Sequence, residues 1–187
     1  MSTVLSICEV QGVGLHSGVT TTVRILPTPS PERFFVRVDL PGRPQIQAHI
    51  TNVSQTTLST ELTENGASVR TVEHLLAALA GLGIDAARIE VDGAELPLLD
   101  GSARVWVDKL IQAGIEPITV NLATAEPITE PVWIRQDDAF VAAVPSSVLR
   151  FTYGIDFDVA PIGNQCTVGN QIRMTLAPKL LLLAPLG

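Results

Sequence analysis

Along the first half of the chain, apolar and β-branched residues come in short runs broken by glycine and proline. Val4–Val10 reads as a strand, and Gln11-Gly12-Val13-Gly14-Leu15-His16-Ser17-Gly18 as the glycine-rich turn after it. Thr20–Leu26 is β-branched and alternating, a strand pattern that Pro27-Thr28-Pro29-Ser30-Pro31 ends. Phe34–Val38 is another short strand, and Ile46–Ile50 a weaker one that leads into the polar segment Thr51–Thr60. From Thr71 the period changes. Val72, Leu75, Leu76, Leu79 and Leu82 fall at i, i+3, i+4, i+7 spacing, which predicts a helix with one buried face. Thr71 is its expected N-cap, and Gly81–Gly83 its end.

Ala87–Val91 is a further strand and Gly93–Gly101 a loop. A second amphipathic helix spans about Ser102–Gln112, with Ala103, Trp106, Val107, Leu110 and Ile111 on one face and Gly114 as its stop. Asp100 or Ser102 caps it, Gly101 makes the turn, and Trp106 is core. Strands and helices without strict βαβ alternation predict an α+β fold: a two-layer sandwich whose mixed sheet carries helices on one face. The composition turns loop-like over Asn121–Glu130, between a first domain at residues 1–122 and a second unit. Val132–Ile134, Ala139–Val144 and Leu149–Phe157 then read as the opening strands of an incomplete second α+β domain, residues 123–165, with no helix to cover them. Residues 166–187 continue no pattern.

Hydrophobic residues make up 46% of the 187, enough for a real core. A net charge of −7 without clustered cations argues against a nucleic-acid partner. Cys8 and Cys166 follow no metal or redox spacing and read as reduced thiols. The N-terminus carries no signal-peptide pattern, and Leu180–Leu183 is far shorter than the ~20 residues of a membrane span. A soluble cytoplasmic protein is expected.

Chemistry enters at Glu73 and His74, adjacent at the start of the first helix and off its apolar stripe. Ala77, Ala78 and Gly81 follow on their faces and would let a ligand approach closely. Such a pair can supply a metal ligand and a general base. It can equally be a solvated helix start. The Gly12–Gly18 loop reads as a hairpin connection, Thr56–Thr60 as a polar strand end, and His49 as a surface residue.

Three motifs in this order settle the choice: Gly12-Val13-Gly14-Leu15-His16-Ser17-Gly18; Arg70-Thr71-Val72-Glu73-His74-Leu75-Leu76-Ala77-Ala78-Leu79 with Gly81-Leu82-Gly83-Ile84-Asp85; and Glu95-Leu96-Pro97-Leu98-Leu99-Asp100-Gly101-Ser102-Ala103. Over roughly residues 4–165 the chain resembles the UDP-3-O-acyl-N-acetylglucosamine deacetylases, zinc hydrolases of the committed step of lipid A synthesis. The resemblance implies two α+β domains with a Zn2+ site in the cleft between them, and a monomer at full length. It implies that His74 is a zinc ligand and Glu73 the general base that activates the attacking water. It places His16 near the cleft, and Leu58, Ser59 and Thr60 on the substrate side. The substrate is a small molecule, a UDP-linked acylated amino sugar.

The family's other zinc ligands, a further His and an Asp, have no counterpart in this chain, and the motif resemblance ends at Gln165. Synonymous codons can be chosen for Pro178–Gly187 whose shifted frame encodes Glu-Ile-Ala-Pro-Ala-Arg-Thr-Phe-Gly, a family segment. A frame slip between about Gln165 and Pro178 is therefore expected, and with it an inactive fragment of the enzyme. The alternative is a non-catalytic binding or assembly module derived from the first domain.

Overall fold

The computed structural model describes residues 1–119 and 127–170. These stretches belong to two separate units. The expected frame-slipped tail beyond Asn170 and residues 121–126 of the expected linker lie outside the described residues.

The first unit is built on a five-stranded sheet. Its strands are β2 (Cys8–Val13), β3 (Thr20–Leu26), β4 (Arg33–Arg37), β5 (Gln45–Gln47) and β9 (Ala87–Val91), in the order β2-β3-β9-β4-β5. β9 runs antiparallel to β3 and parallel to β4, so the sheet is mixed. Alternation decides which face is dry. One cross-strand row reads Cys8, Ile25, Ile89, Phe35, Ile46, and every member is buried. The adjacent row carries Glu9, Arg24 and Glu90, joined by ion pairs of 3.5 Å from Arg24 to each glutamate.

Helices α1 (Glu73–Gly81) and α2 (Arg104–Ala113) bury Leu75, Ala78, Leu79, Trp106, Val107 and Leu110 in the same apolar cluster as that row. The result is an α+β architecture. A small antiparallel sheet of β6 (Val53–Gln55), β7 (Glu61–Glu64) and β8 (Ala67–Arg70) adds Leu62, Ala67 and Val69 to the core. β7 and β8 are joined through Asn65 and Gly66, both at positive φ (51° and 73°), the backbone of a type I′ turn. Strand β1 (Ser2–Val4) pairs with β10 (Ile115–Pro117).

The second unit consists, among the described residues, of two hairpins: β11 (Val132–Gln136) with β12 (Ala139–Ala143), and β13 (Arg150–Asp156) with β14 (Asn164–Asn170). Trp133 and Phe140 stack with ring centroids 5.7 Å apart yet are 63% and 65% exposed. No helix lies on these strands among the described residues, and none in either unit is long and apolar enough to cross a membrane.

Several local expectations are corrected. The expected strand Val4–Val10 is two strands, because the chain bends at Leu5–Ser6 between separate partners. Gly12 and Val13 pair with Thr21 and Thr20, so they belong to β2 and not to the turn. Ile50 is 81% exposed and starts a 3-10 turn, capped by His49 accepting from the Thr51 N–H, instead of ending a strand. Ile111 is 46% exposed, and Ala113 takes its place on the buried face of α2.

Truncating Trp106, 1% exposed, opens a large cavity and is expected to cost about 3–5 kcal/mol. Ile111→Ala should cost under about 1 kcal/mol. Urea unfolding followed by circular dichroism measures both, and equal losses would contradict this assignment of the helix faces.

Candidate functional site

The site is assembled where β8 passes into α1. Arg70 ends the strand, its N–H donating to the Ala94 carbonyl and its own carbonyl accepting from the Leu96 N–H. Thr71 follows at φ 60°, a left-handed conformation costly for a β-branched residue. Two bonds hold it there. Its N–H donates to the Thr60 carbonyl at 3.0 Å, and its hydroxyl donates to Glu95 Oε1 at 3.1 Å. The left-handed backbone also denies Thr71 the geometry of the expected N-cap, and its side chain caps no helix N–H. The position falls to Val72, which offers no side-chain acceptor.

Glu73 and His74 form the first turn of α1, both half-buried. Glu73 Oε2 accepts from the Thr60 N–H at 3.0 Å. The imidazole of His74 makes no hydrogen bond to any described residue. Of the small residues expected beside the pair, Ala77 is exposed, whereas Ala78 is 1% exposed and packs into the core.

Thr60 closes a bend that links β6 to β7, so Thr56–Thr60 is not itself strand. Ser59 Oγ accepts from Arg70 Nε at 2.6 Å, and the Thr57 carbonyl accepts from Arg70 Nη2 at 3.3 Å. Leu58, at φ 62°, points 74% exposed from the crest of the bend. One guanidinium thus fixes the segment carrying Leu58, Ser59 and Thr60.

The loop between β2 and β3 arrives through Glu95. His16 and Ser17 donate their backbone N–H groups to its two carboxylate oxygens at 2.9 and 2.7 Å. Oε1 is the same atom that accepts from Thr71, so the His16 backbone lies close to the start of α1. The His16 residue itself is exposed. The structure therefore brings His16, Leu58, Ser59, Thr60, Glu73 and His74 around one helix start. Sequence reasoning assigned no role to Glu95 or Arg70. A lone acid inside Ala94-Glu95-Leu96-Pro97-Leu98 was the available signal for the first.

A family model described as UDP-3-O-acyl N-acetylglycosamine deacetylase matches residues 1–178 of the chain. The chain belongs to that family. Its relatives include proteins named UDP-3-O-acyl-N-acetylglucosamine deacetylase from Nostoc sp., 61% identical over 82% of this chain and 56% of the relative, and from Synechocystis sp., 51% identical over 83% and 57%. A more distant one from Bdellovibrio bacteriovorus, under the same name, is 38% identical over 83% and 52%. The chain spans about half the length of the curated relatives it matches. The family match runs past Gln165, where the motif resemblance ends.

A catalytic zinc takes about three protein ligands. Among the described residues no group of three or more His, Cys, Asp or Glu side chains is placed to hold a metal ion. The described residues form no complete site for such an ion.

Burial raises the pKa of the Glu95 carboxyl, but hydrogen bonds from Ser17, from the His16 amide and from Thr71 outweigh it, so the group sits below the ordinary value of 4.5. The unfolded chain therefore binds more protons than the folded one in acid. The stabilisation is present above the unfolded value and is lost as pH falls through the lower folded one. Acid titration by circular dichroism should show a decline in stability below about pH 4.5, less steep in Glu95→Gln. Equal slopes would contradict it.

Proposed function

We propose that the chain carries the first-domain half of a deacetylase site of lipid A synthesis, acting on UDP-3-O-acyl-N-acetylglucosamine. One observation supports the reading above others: in a chain of this family, Glu73 and His74 share a helix start with the loop of His16 and the bend at Leu58–Thr60. His74 is read as one zinc ligand, with the rest of the ligand set supplied by residues other than those described. Zinc, when bound, polarises an amide carbonyl and acidifies water toward a pKa of ~7.

Glu73 is the general base. The Thr60 N–H fixes Oε2 and its orientation, leaving Oε1 to take a proton from the attacking water. The water oxygen bonds to the acetyl carbon, the C–N bond breaks, and the sugar nitrogen leaves as an amine after accepting a proton. Acetate is the second product. Leu58, Ser59 and Thr60 line the substrate side, and the Arg70 guanidinium keeps that wall in place.

On its own the chain is expected to be catalytically silent, since the described donor set stops at one imidazole. A chimera that joins residues 1–165 to the remainder of the Nostoc relative tests the reading. It should release acetate in a zinc-dependent way. Glu73→Gln should lower turnover by about 10²-fold or more, and His74→Ala should abolish stoichiometric zinc uptake. Unchanged turnover and metal content in both variants would refute the assignment. Binding of the nucleotide sugar without zinc or turnover would favour a non-catalytic module.

A further inference from the structure

Among the described residues Glu95 is the one buried acidic side chain, 3% exposed, and the chemistry above does not use it. A carboxylate withdrawn from water is costly unless donors converge on it. Here they come from two sequence-distant segments. Ser17 N–H reaches Oε2, His16 N–H and the Thr71 hydroxyl share Oε1, and the backbone carbonyl of Glu95 accepts from the Thr21 hydroxyl at 2.8 Å. The loop is moulded to this group. A Cβ on Gly14 would lie 2.5 Å from Oε2, so only glycine lets the backbone pass.

Thr71 is the element that could respond. It holds a left-handed backbone two residues before Glu73, and strain of that kind persists only where its surroundings over-determine it. The bond to Glu95 is one of its two restraints, and the bond to the Thr60 carbonyl is the other. Thr60 in turn holds Glu73. Loosening the Glu95 contact frees the peptide that sets how α1 begins, and with it the direction of both side chains on its first turn.

We propose that Glu95 is a positioning residue for Glu73 and His74: its carboxylate ties the His16 loop to Thr71 and so fixes the angle at which α1 presents its carboxylate and imidazole. The proposal rests on the reading of those two residues as a catalytic pair. It is tested on the 187-residue protein and its Glu95→Gln, Glu95→Asp and Thr71→Val variants, by amide hydrogen exchange and by the backbone amide resonances of Glu73 and His74.

Glu95→Gln should speed exchange at His16 and Ser17 about tenfold or more, while the amides of Ile25 and Ile89 in the sheet stay protected. It should also shift the Glu73 and His74 amide resonances. Glu95→Asp, which keeps the charge, should recover most of the loop protection. Thr71→Val removes a single hydroxyl and should disturb Glu73 and His74 while leaving His16 and Ser17 protected. It therefore decides the matter if Glu95→Gln does not fold. Unchanged exchange at His16 and Ser17 in Glu95→Gln, or a loosened loop with Glu73 and His74 unmoved, overturns the proposal. Zn2+ uptake by the chimera bears on the zinc reading separately, and the amide shifts decide the role of Glu95.

Discussion

An ionised carboxylate can stay out of water only where donors already point at it. In this protein that requirement organises a whole corner of the fold. The donors of Glu95 belong to the loop after β2 and to the residue before α1, segments that local sequence gives no reason to meet. Satisfying one buried charge thus brings together three motifs that lie far apart along the chain. Arg70 does comparable work on the other side, where its guanidinium fastens the bend that carries Leu58 and Ser59. Both anchors sit beside the Glu73–His74 pair and leave the His74 ring unengaged by the described residues.

The scaffold beneath is of a more ordinary kind. A dry row from Cys8 to Ile46 crosses all five strands and meets the apolar faces of both helices. The neighbouring Glu9–Arg24–Glu90 row pairs its charges across strands. That continuous, close-packed platform carries the loops above it. The two hairpins of the second unit have no comparable platform among the described residues. Their aromatic and aliphatic side chains remain largely in water.

What the sequence revealed follows from the reach of each signal. Period two marked Thr20–Leu26 to the residue, and period 3.6 marked α1 and most of α2, because burial of one face enforces both. Strands β7 and β8 escaped notice although Asn65-Gly66 between alternating residues announces a type I′ hairpin. Thr71 had the right chemistry for an N-cap, but a bond to a residue twenty-four positions away helps hold it in a left-handed backbone that is no cap. No local rule weighs such a competitor. Glu73 and His74 were singled out through the company they keep in three motifs, and the structure places them at one helix start with the His16 loop and the bend at Thr60. The part played by Glu95 was not, since a lone acid in an apolar stretch declares that it needs partners without saying which.

Strand β9 fills the slot between β3 and β4, yet it is the last of the five to be made. While the chain leaves the ribosome, β3 and β4 must wait with facing edges unsatisfied until β5, the small sheet and α1 have been synthesised. Parallel pairing across so long an intervening stretch is slow to close, and open edges attract other chains. Until β9 emerges, the two parts of the central sheet, like facing walls, have no strand to join them. The final strand to emerge is the one that makes those walls a single surface.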